Sequence, residues 1–282
     1  MNYILYNPKS KNGKAIDIIN NIKDSYMTDF VEINILEINS YQTLFNQITD
    51  DDEITIIGGD GTLNHFINNI RDLEIPCIVY YQGAGTGNDF LKDINHNPDD
   101  GRIEITRYLK ELPRVIVKDK EYLFINGIGF GIDGYCCEEG DRLQAKSNKP
   151  VNYTSIAIKG LLFHYKAPNA KIIIDGVEKH YKRVWIAATM MGSYYGGGMM
   201  VAPLQDRLNE DKSVTLVVMH KSGKLKTLTV FPSIFKGKHV QHKEMVDVIT
   251  GHHIIVEFDR PTPLQVDGET ISNVTKYEVI TK

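Results

Sequence analysis

Cysteine is scarce in this chain: three of 282 residues, two of them adjacent at Cys136 and Cys137, with no Cys-x-x-Cys spacing. That excludes a disulfide framework and a cysteine zinc site, and a reducing, cytoplasmic compartment suits such usage. No apolar run reaches the ~18 residues of a membrane helix and no apolar h-region opens the chain, so neither a span nor a secretory signal is expected. Positive charge is not in excess: 32 Lys and Arg stand against 36 Asp and Glu, a formal −4 and a pI near 6.1. With its Tyr and Phe residues scattered rather than interleaved with a basic run, the chain is not expected to bind nucleic acid. The histidines match no His-Glu-x-x-His pattern and are read as surface residues. The phosphate loop Gly-x-x-x-x-Gly-Lys-Ser/Thr is missing, and so is the protein kinase set. Gly127, Gly129 and Gly131 do not complete a dinucleotide fingerprint. No internal repeat or low-complexity linker is present.

What the chain does have is glycine placed directly after β-branched runs. Residues 54–64, Ile-Thr-Ile-Ile-Gly-Gly-Asp-Gly-Thr-Leu-Asn, carry a short strand pattern into Gly58, Gly59 and Gly61, with Asp60 and Thr62 beside them. Residues without Cβ atoms let the chain turn sharply and bring backbone N–H groups close to a polyanion. Thr62 to Ile70 reads as a helix whose N-terminal dipole favours the same anion. A carboxylate at Asp60 repels phosphate unless a divalent cation stands between them, which points to Mg²⁺ with a nucleoside triphosphate. The plainer reading is a tight strand-to-helix turn in which Asp60 only hydrogen-bonds nearby amides.

A second turn, Gly83-Ala-Gly-Thr-Gly-Asn-Asp-Phe90, follows the β-type run Cys77–Tyr81. It adds Gly85, Thr86, Asn88 and Asp89 to the candidate nucleotide site, unless Asn88 and Asp89 serve only to cap the next helix. A third, Asn7-Pro8-Lys9-Ser10-Lys11-Asn12-Gly13-Lys14, follows Tyr3–Tyr6 and offers Asn7, Lys9 and Ser10. A solvated loop explains its lysines equally well. Strand, glycine turn and helix alternate over residues 1–118, with further β runs at Val31–Leu36 and Ile54–Ile57. That pattern implies a parallel sheet flanked by helices, with ligands at the carboxyl ends of its strands. From residue 119 onward β runs dominate: Tyr122–Ile125, Lys171–Ile174, Val184–Thr189, Val214–Met219, Asp247–Ile249, Ile254–Phe258 and Leu264–Val266. An antiparallel sandwich is expected there. Tyr153–Tyr165 is a helix-like interruption, for which burial is the commoner fate and membrane contact the rarer one. Met190, Met191, Met199 and Met200 are read either as an adaptable wall for acyl chains or as ordinary core.

The three turns, in this order, resemble the diacylglycerol kinase catalytic domain family, which includes bacterial lipid kinases and the sphingosine and ceramide kinases. Its Asn-Pro-x-Ser-Gly, Gly-Gly-Asp-Gly-Thr and Gly-Thr-x-Asn-Asp loops look like residues 7–13, 58–62 and 85–89 here. Phe124-Ile-Asn-Gly-Ile-Gly-Phe-Gly-Ile-Asp133, Tyr195-Gly-Gly-Gly-Met-Met-Val-Ala-Pro203 and Asp267-Gly-Glu269 resemble downstream signatures, so the likeness spans nearly the whole chain. It implies an N-terminal three-layer α/β domain and a C-terminal antiparallel β-sandwich domain over 119–271. It also implies ATP in a cleft between them, and a final strand, Val274–Ile280 within residues 272–282, that returns to the first domain.

The implied activity is phosphoryl transfer from ATP, with Mg²⁺, to a hydroxyl of a membrane lipid, diacylglycerol being the leading candidate. Glu269 takes the role of general base, Asp60 organises nucleotide and metal, and contact with the inner membrane face is transient. Read without the resemblance, Val266-Asp-Gly-Glu is simply a hairpin with an Asp-Gly turn, as is Ile174-Asp-Gly-Val177. Two departures stand out. Glu104 is the nearest match to a metal-organising aspartate, and Glu210-Asp211-Lys212 replaces an Asp-Asp-Gly turn that in some members holds a structural divalent ion. The competing readings are an NAD kinase-like enzyme, which shares the Gly-Gly-Asp-Gly motif, and a catalytically silent nucleotide-binding regulator of lipid metabolism. A homo-oligomer is left open.

Overall fold

The computed structural model describes residues 1–10, 14–25, 29–146 and 151–281. They divide into two compact units, Met1–Leu112 and Pro113–Lys282. The Lys11-Asn12-Gly13 part of the first loop lies outside the described residues.

The first unit runs β1 (Asn2–Tyr6), α1 (Lys14–Ser25), β2 (Phe30–Asn34), α2 (Tyr41–Phe45), β3 (Glu53–Gly58), α3 (Asp60–Asn69), β4 (Ile78–Gly83), α4 (Asp89–Asp93) and β5 (Ile103–Glu104). Its sheet has the order β2-β1-β3-β4-β5, parallel except for β5, which is antiparallel to β4. Ile54, Ile56 and Ile57 of the central strand are fully buried, as a strand covered on both faces requires. Ala15 and Ile19 of α1 pack with Ile4, Ile57 and Ala84, while Ile16 is exposed. This arrangement brings the carboxyl ends of β1, β3 and β4 to one edge of the sheet.

The second unit contains β6 (Arg114–Val117), β7 (Lys120–Leu123), β8 (Gly127–Gly131), α5 (Ile132–Gln144), α6 (Tyr153–Lys159), β9 (Ala170–Ile174), β10 (Val177–Tyr181), β11 (Ile186–Met190), β12 (Tyr194–Tyr195), β13 (Met199–Met200), β14 (Val214–Met219), α7 (Lys224–Val230), β15 (Val246–Gly251), β16 (His253–Val266) and β17 (Glu269–Ile280). Ten strands form one antiparallel sheet along β15-β14-β11-β8-β16-β17-β6-β7, with β9 and β10 branching from β16. The first half of β16 pairs with β9 and the second half with β8. Register shifts between Glu257 and Leu264 separate the halves, and such irregularities bend a strand so that it serves two layers of a sandwich.

Several expectations need correction. The runs Ile254–Phe258 and Leu264–Val266 are one strand, because the intervening Pro261 and Pro263 are accommodated at the irregular register rather than in a loop. By packing, the first unit ends at Leu112, since β6 hydrogen-bonds to β17 of the second. For the same reason Val274–Ile280 stays in the second unit instead of returning to the first. Among the histidines, His239 is fully buried, its Nε2 3.0 Å from the Val201 carbonyl, and burial lowers its pKa to about 4. The 153–165 stretch divides into α6 and a π-helical turn, Gly160–His164.

Candidate functional site

In the first unit the three glycine-bearing loops meet. Asn7 Nδ2 donates to Thr62 Oγ1 at 3.3 Å, and Ser10 Oγ lies 3.4 Å from the same hydroxyl. The loop after β1 is thereby tied to the start of α3. Gly58 is obligatory there, since a Cβ on it would lie 2.3 Å from Thr62 Oγ1. The loops after β3 and β4 touch directly: a Cβ on Gly85 would fall 2.7 Å from Gly59 Cα, and the Ala84 N–H donates to the Gly58 carbonyl at 2.7 Å. Buried Tyr81 donates its hydroxyl to the same carbonyl at 3.0 Å.

Asp60 links the second and third loops across 29 residues of sequence. Its Oδ2 accepts the Asp89 N–H at 3.1 Å and its Oδ1 the Phe90 N–H at 3.0 Å. A carboxylate at the N-terminus of α4 satisfies two otherwise orphaned donors, each such charge-assisted bond contributing about 1.5–3 kcal/mol. Asn88, in the left-handed region at φ 50°, turns its amide back to the Gly85 carbonyl at 3.2 Å, leaving its buried Oδ1 without a hydrogen-bond partner. No side chain caps α3, whose N-cap is Gly59 and whose first turn holds Asp60, Gly61 and Thr62. With no side-chain hydrogen bond capping it, the positive end of its dipole is directed into the turn. Lys9 and Thr86 are exposed on the flanking loops, and the Lys9 N–H is bound to Asn7 Oδ1 at 3.0 Å.

Of the other acids named for metal, Glu104 belongs to the first unit, and Glu210 and Asp211, of the separate structural-ion turn, to the second. Glu104 is exposed on β5 opposite Tyr80, three residues before Gly83 along β4 and so ~10 Å from that strand's carboxyl end. Glu210 is exposed. Asp211 Oδ1 accepts the Ser213 hydroxyl at 2.9 Å and its N–H at 3.2 Å, and these bonds lower its pKa. Lys212, standing where the resembling sequences have glycine, keeps a left-handed φ of 59°. Among the described residues no three His, Cys, Asp or Glu side chains form a metal-binding group. Asp60 and Asp89 alone still suit Mg²⁺, which is commonly held by one or two carboxylates together with substrate phosphates.

In the second unit both Asp-Gly pairs are two-residue hairpin turns with positive φ at each position: 48° and 83° at Asp175-Gly176, 46° and 95° at Asp267-Gly268. Each aspartate also collects backbone amides. Asp175 is at the surface and accepts from His252 and His253. Buried Asp267 accepts from Ile125 at 2.7 Å and from Asn126 and Gly127 at 2.9 Å, fixing the Phe124-Ile-Asn segment beneath the turn. Buried Arg207 donates to the Ile125 carbonyl at 3.0 Å and to Asn126 Oδ1 at 3.3 Å. Glu269, the first residue of β17, is exposed and has no hydrogen-bond or ion-pair partner among the described residues. Its charge follows burial, Asp133 and Asp141 in pushing the Cys137 thiol up to about 12, which places it within electrostatic reach of α5.

Sequence reasoning passed over Asp133. It is buried at the start of α5, accepts the Tyr195 hydroxyl at 2.5 Å on Oδ2, and leaves Oδ1 unpartnered. Burial raises its pKa to about 6, partly offset by the Tyr195 bond. Two quoted motifs thus meet. Gly129 leaves room for the carboxylate, which a Cβ there would strike, and Gly196, Gly197 and Gly198, all at positive φ, turn the chain from β12 to β13 next to Tyr195. The signal was an acid embedded in an apolar run, Phe-Gly-Ile-Asp133-Gly. Met190 and Met191 are core residues, while Met199 and Met200 are half-buried.

Both units have counterparts among known proteins. Residues 2–116 match the model of the diacylglycerol kinase catalytic domain, and residues 126–280 match that of the YegS C-terminal NAD kinase beta sandwich-like domain. A protein of Mycobacterium tuberculosis (strain CDC 1551 / Oshkosh) named diacylglycerol kinase is 24% identical over 201 residues, covering 69% of this chain and 63% of its own. The chain thus spans somewhat under two thirds of that relative. A diacylglycerol kinase crystal structure from Bacillus anthracis str. Sterne superposes with a TM-score of 0.60 at 15% identity, covering 99% of this chain and 93% of that one. With both of its units matched in order, the chain belongs to the diacylglycerol kinase catalytic domain family and carries the YegS type of C-terminal β-sandwich domain.

Proposed function

We propose that this protein transfers the γ-phosphate of ATP to a hydroxyl of a membrane lipid, diacylglycerol being the leading candidate. The observation that carries the reading is the convergence of Asn7, Ser10, Gly58, Gly59, Asp60, Thr62, Gly85, Asn88 and Asp89 at the carboxyl ends of three parallel strands, beside an uncapped helix. Phosphoryl transfer asks chiefly for positioning and for fixed dipoles aimed at the equatorial oxygens. The amides at the start of α3 supply such dipoles, and the glycines allow phosphate to approach them. Mg²⁺ held by Asp60 and Asp89 would neutralise charge on the phosphoryl oxygens. Glu269 accepts the proton of the lipid hydroxyl as the new O–P bond forms and the bond to ADP breaks. Asp267 holds the turn that presents it.

No helix of the described residues is long and apolar enough to cross a membrane, so turnover on a bilayer lipid calls for transient contact with the membrane surface. The test is transfer from γ-labelled ATP into a total lipid extract, with Mg²⁺ present or chelated, for wild type and Glu269→Gln. The expected result is a Mg²⁺-dependent labelled lipid, with transfer by the variant reduced about 10²–10⁴-fold and its fold intact. Label in NAD instead of lipid would transfer the assignment to a dinucleotide kinase. ATP binding without transfer to any acceptor would leave a silent regulator.

A further inference from the structure

The turn that follows Ala202-Pro203 closes on itself through side-chain amides. Buried Gln205 donates Nε2 to the Ser213 carbonyl at 3.0 Å and to the Asp206 carbonyl at 3.2 Å, and Asn209 donates Nδ2 to the same two carbonyls at 2.9 and 2.8 Å. Two main-chain oxygens from opposite ends of the turn are thus bridged twice by neutral N–H donors. The Thr215 hydroxyl fixes Gln205 from its other end, donating to Oε1 at 2.5 Å. The acids of the turn, Asp206, Glu210 and Asp211, are exposed. Asp206 Oδ1 accepts the Leu208 N–H at 2.9 Å, and Asp211 Oδ1 is taken by the Ser213 hydroxyl and N–H. Lys212 adds a fixed positive charge to the same turn. The turn also carries Arg207, whose guanidinium reaches Ile125 and Asn126 in the segment that Asp267 holds beneath the Glu269 hairpin.

A structural divalent ion does not fit this arrangement. Ca²⁺ and Mg²⁺ are held by oxygens, carboxylates foremost, whereas the Asp206 and Ser213 carbonyls are faced by N–H groups that present positive charge to any ion. We propose that this turn is metal-independent: the Gln205 and Asn209 amides make the cross-link that a divalent ion makes in some of the sequences this chain resembles, and Asn209 is the residue that decides between the two. An aspartate at that position would set a carboxylate oxygen 2.8–2.9 Å from two carbonyl oxygens with no proton to share, a contact relieved by a cation between them. The buried Asn209 Oδ1, which has no hydrogen-bond partner, would become the second oxygen of that carboxylate. The inference stands apart from the lipid-acceptor reading: it concerns an ion that the fold does without, not the Mg²⁺ that accompanies the nucleotide.

The experiment is thermal melting of the full chain at pH 8 without nucleotide, for wild type, Asn209→Asp and Asn209→Ala, each in chelator and over rising Mg²⁺ or Ca²⁺. Wild type should melt within about 1 °C of the same temperature throughout. Both variants should melt roughly 5–10 °C lower in chelator, having lost two buried hydrogen bonds. Asn209→Asp alone should regain at least about half of that loss as the ion is raised, because only the carboxylate creates a site for it. A wild-type gain from the ion as large as that of Asn209→Asp overturns the proposal. So does an Asn209→Asp protein that melts with wild type in chelator, and so does a loss that neither ion restores, since amide and ion would then not be interchangeable. Rescue confined to Asn209→Asp supports it even where wild type transfers phosphate to no lipid, an outcome that would sink the lipid-kinase reading alone.

Discussion

Substituting Gly85 by Ala tests whether the two glycine loops work as one assembly. Gly85 does not have positive φ and Gly59 is extended at φ −95°, ψ −175°, so alanine is conformationally allowed at both positions. The penalty is purely one of contact. A Cβ on Gly85 would lie 2.7 Å from Gly59 Cα and 3.0 Å from Asn88 Oδ1; reaching an ordinary 3.4 Å from that backbone atom requires the loops to part by about 0.7 Å. Backbone on both sides cannot rotate away as a side chain can, and overpacking of this kind costs about 1–3 kcal/mol. For a chain of this size that lowers Tm by roughly 2–12 °C. The larger effect falls on function, since displacement approaching an ångström in a phosphate site costs roughly ten- to a hundredfold in rate. Gly59→Ala places its Cβ 3.1 Å from Gly85 Cα and should be milder, and the double variant should be non-additive because both strains are relieved by the same opening. Calorimetric ATP titration, labelled transfer and thermal melts of the three variants decide the matter. Wild-type ATP affinity and an unchanged Tm in Gly85→Ala would refute the back-to-back packing and the site built on it.

Other predictions follow from the second unit. Asp267→Asn removes a buried carboxylate from three amides and should destabilise by about 3 kcal/mol, whereas Asp175→Asn, in the same turn type at the surface, should cost less than about 1 kcal/mol. Urea unfolding of both variants checks the contrast, and equal losses would refute it. Asp133, raised from the ordinary carboxylate range to about 6, holds its proton in the folded state when the unfolded chain has already lost it. Its contribution to stability is therefore complete below about pH 4 and lost as pH rises through about 6, a change on the order of 3 kcal/mol. Asp133→Asn should flatten that part of the stability–pH curve, and an identical curve for the two proteins would contradict the burial argument.

Local chemistry was legible in the sequence wherever one residue type answers one backbone demand. The glycines after β-branched runs, the Asp-Gly turns and the parallel alternation of the first unit all follow from steric rules that act over a few residues, and the structure contains each of them. Lys212 illustrates the limit: its left-handed φ is a demand of the turn that sequence preference alone would have assigned to glycine. Only the tertiary structure decided who meets whom. Asp60 reads as a phosphate-side acid, yet its two oxygens cap α4 29 and 30 residues away. Asp133 and Tyr195 are 62 residues apart and share one hydrogen bond, and β6 joins β17 across the chain's second half. Such pairings depend on register and topology, which local propensity does not encode, because a hydrogen bond is satisfied by any donor that the packing of the core delivers to it.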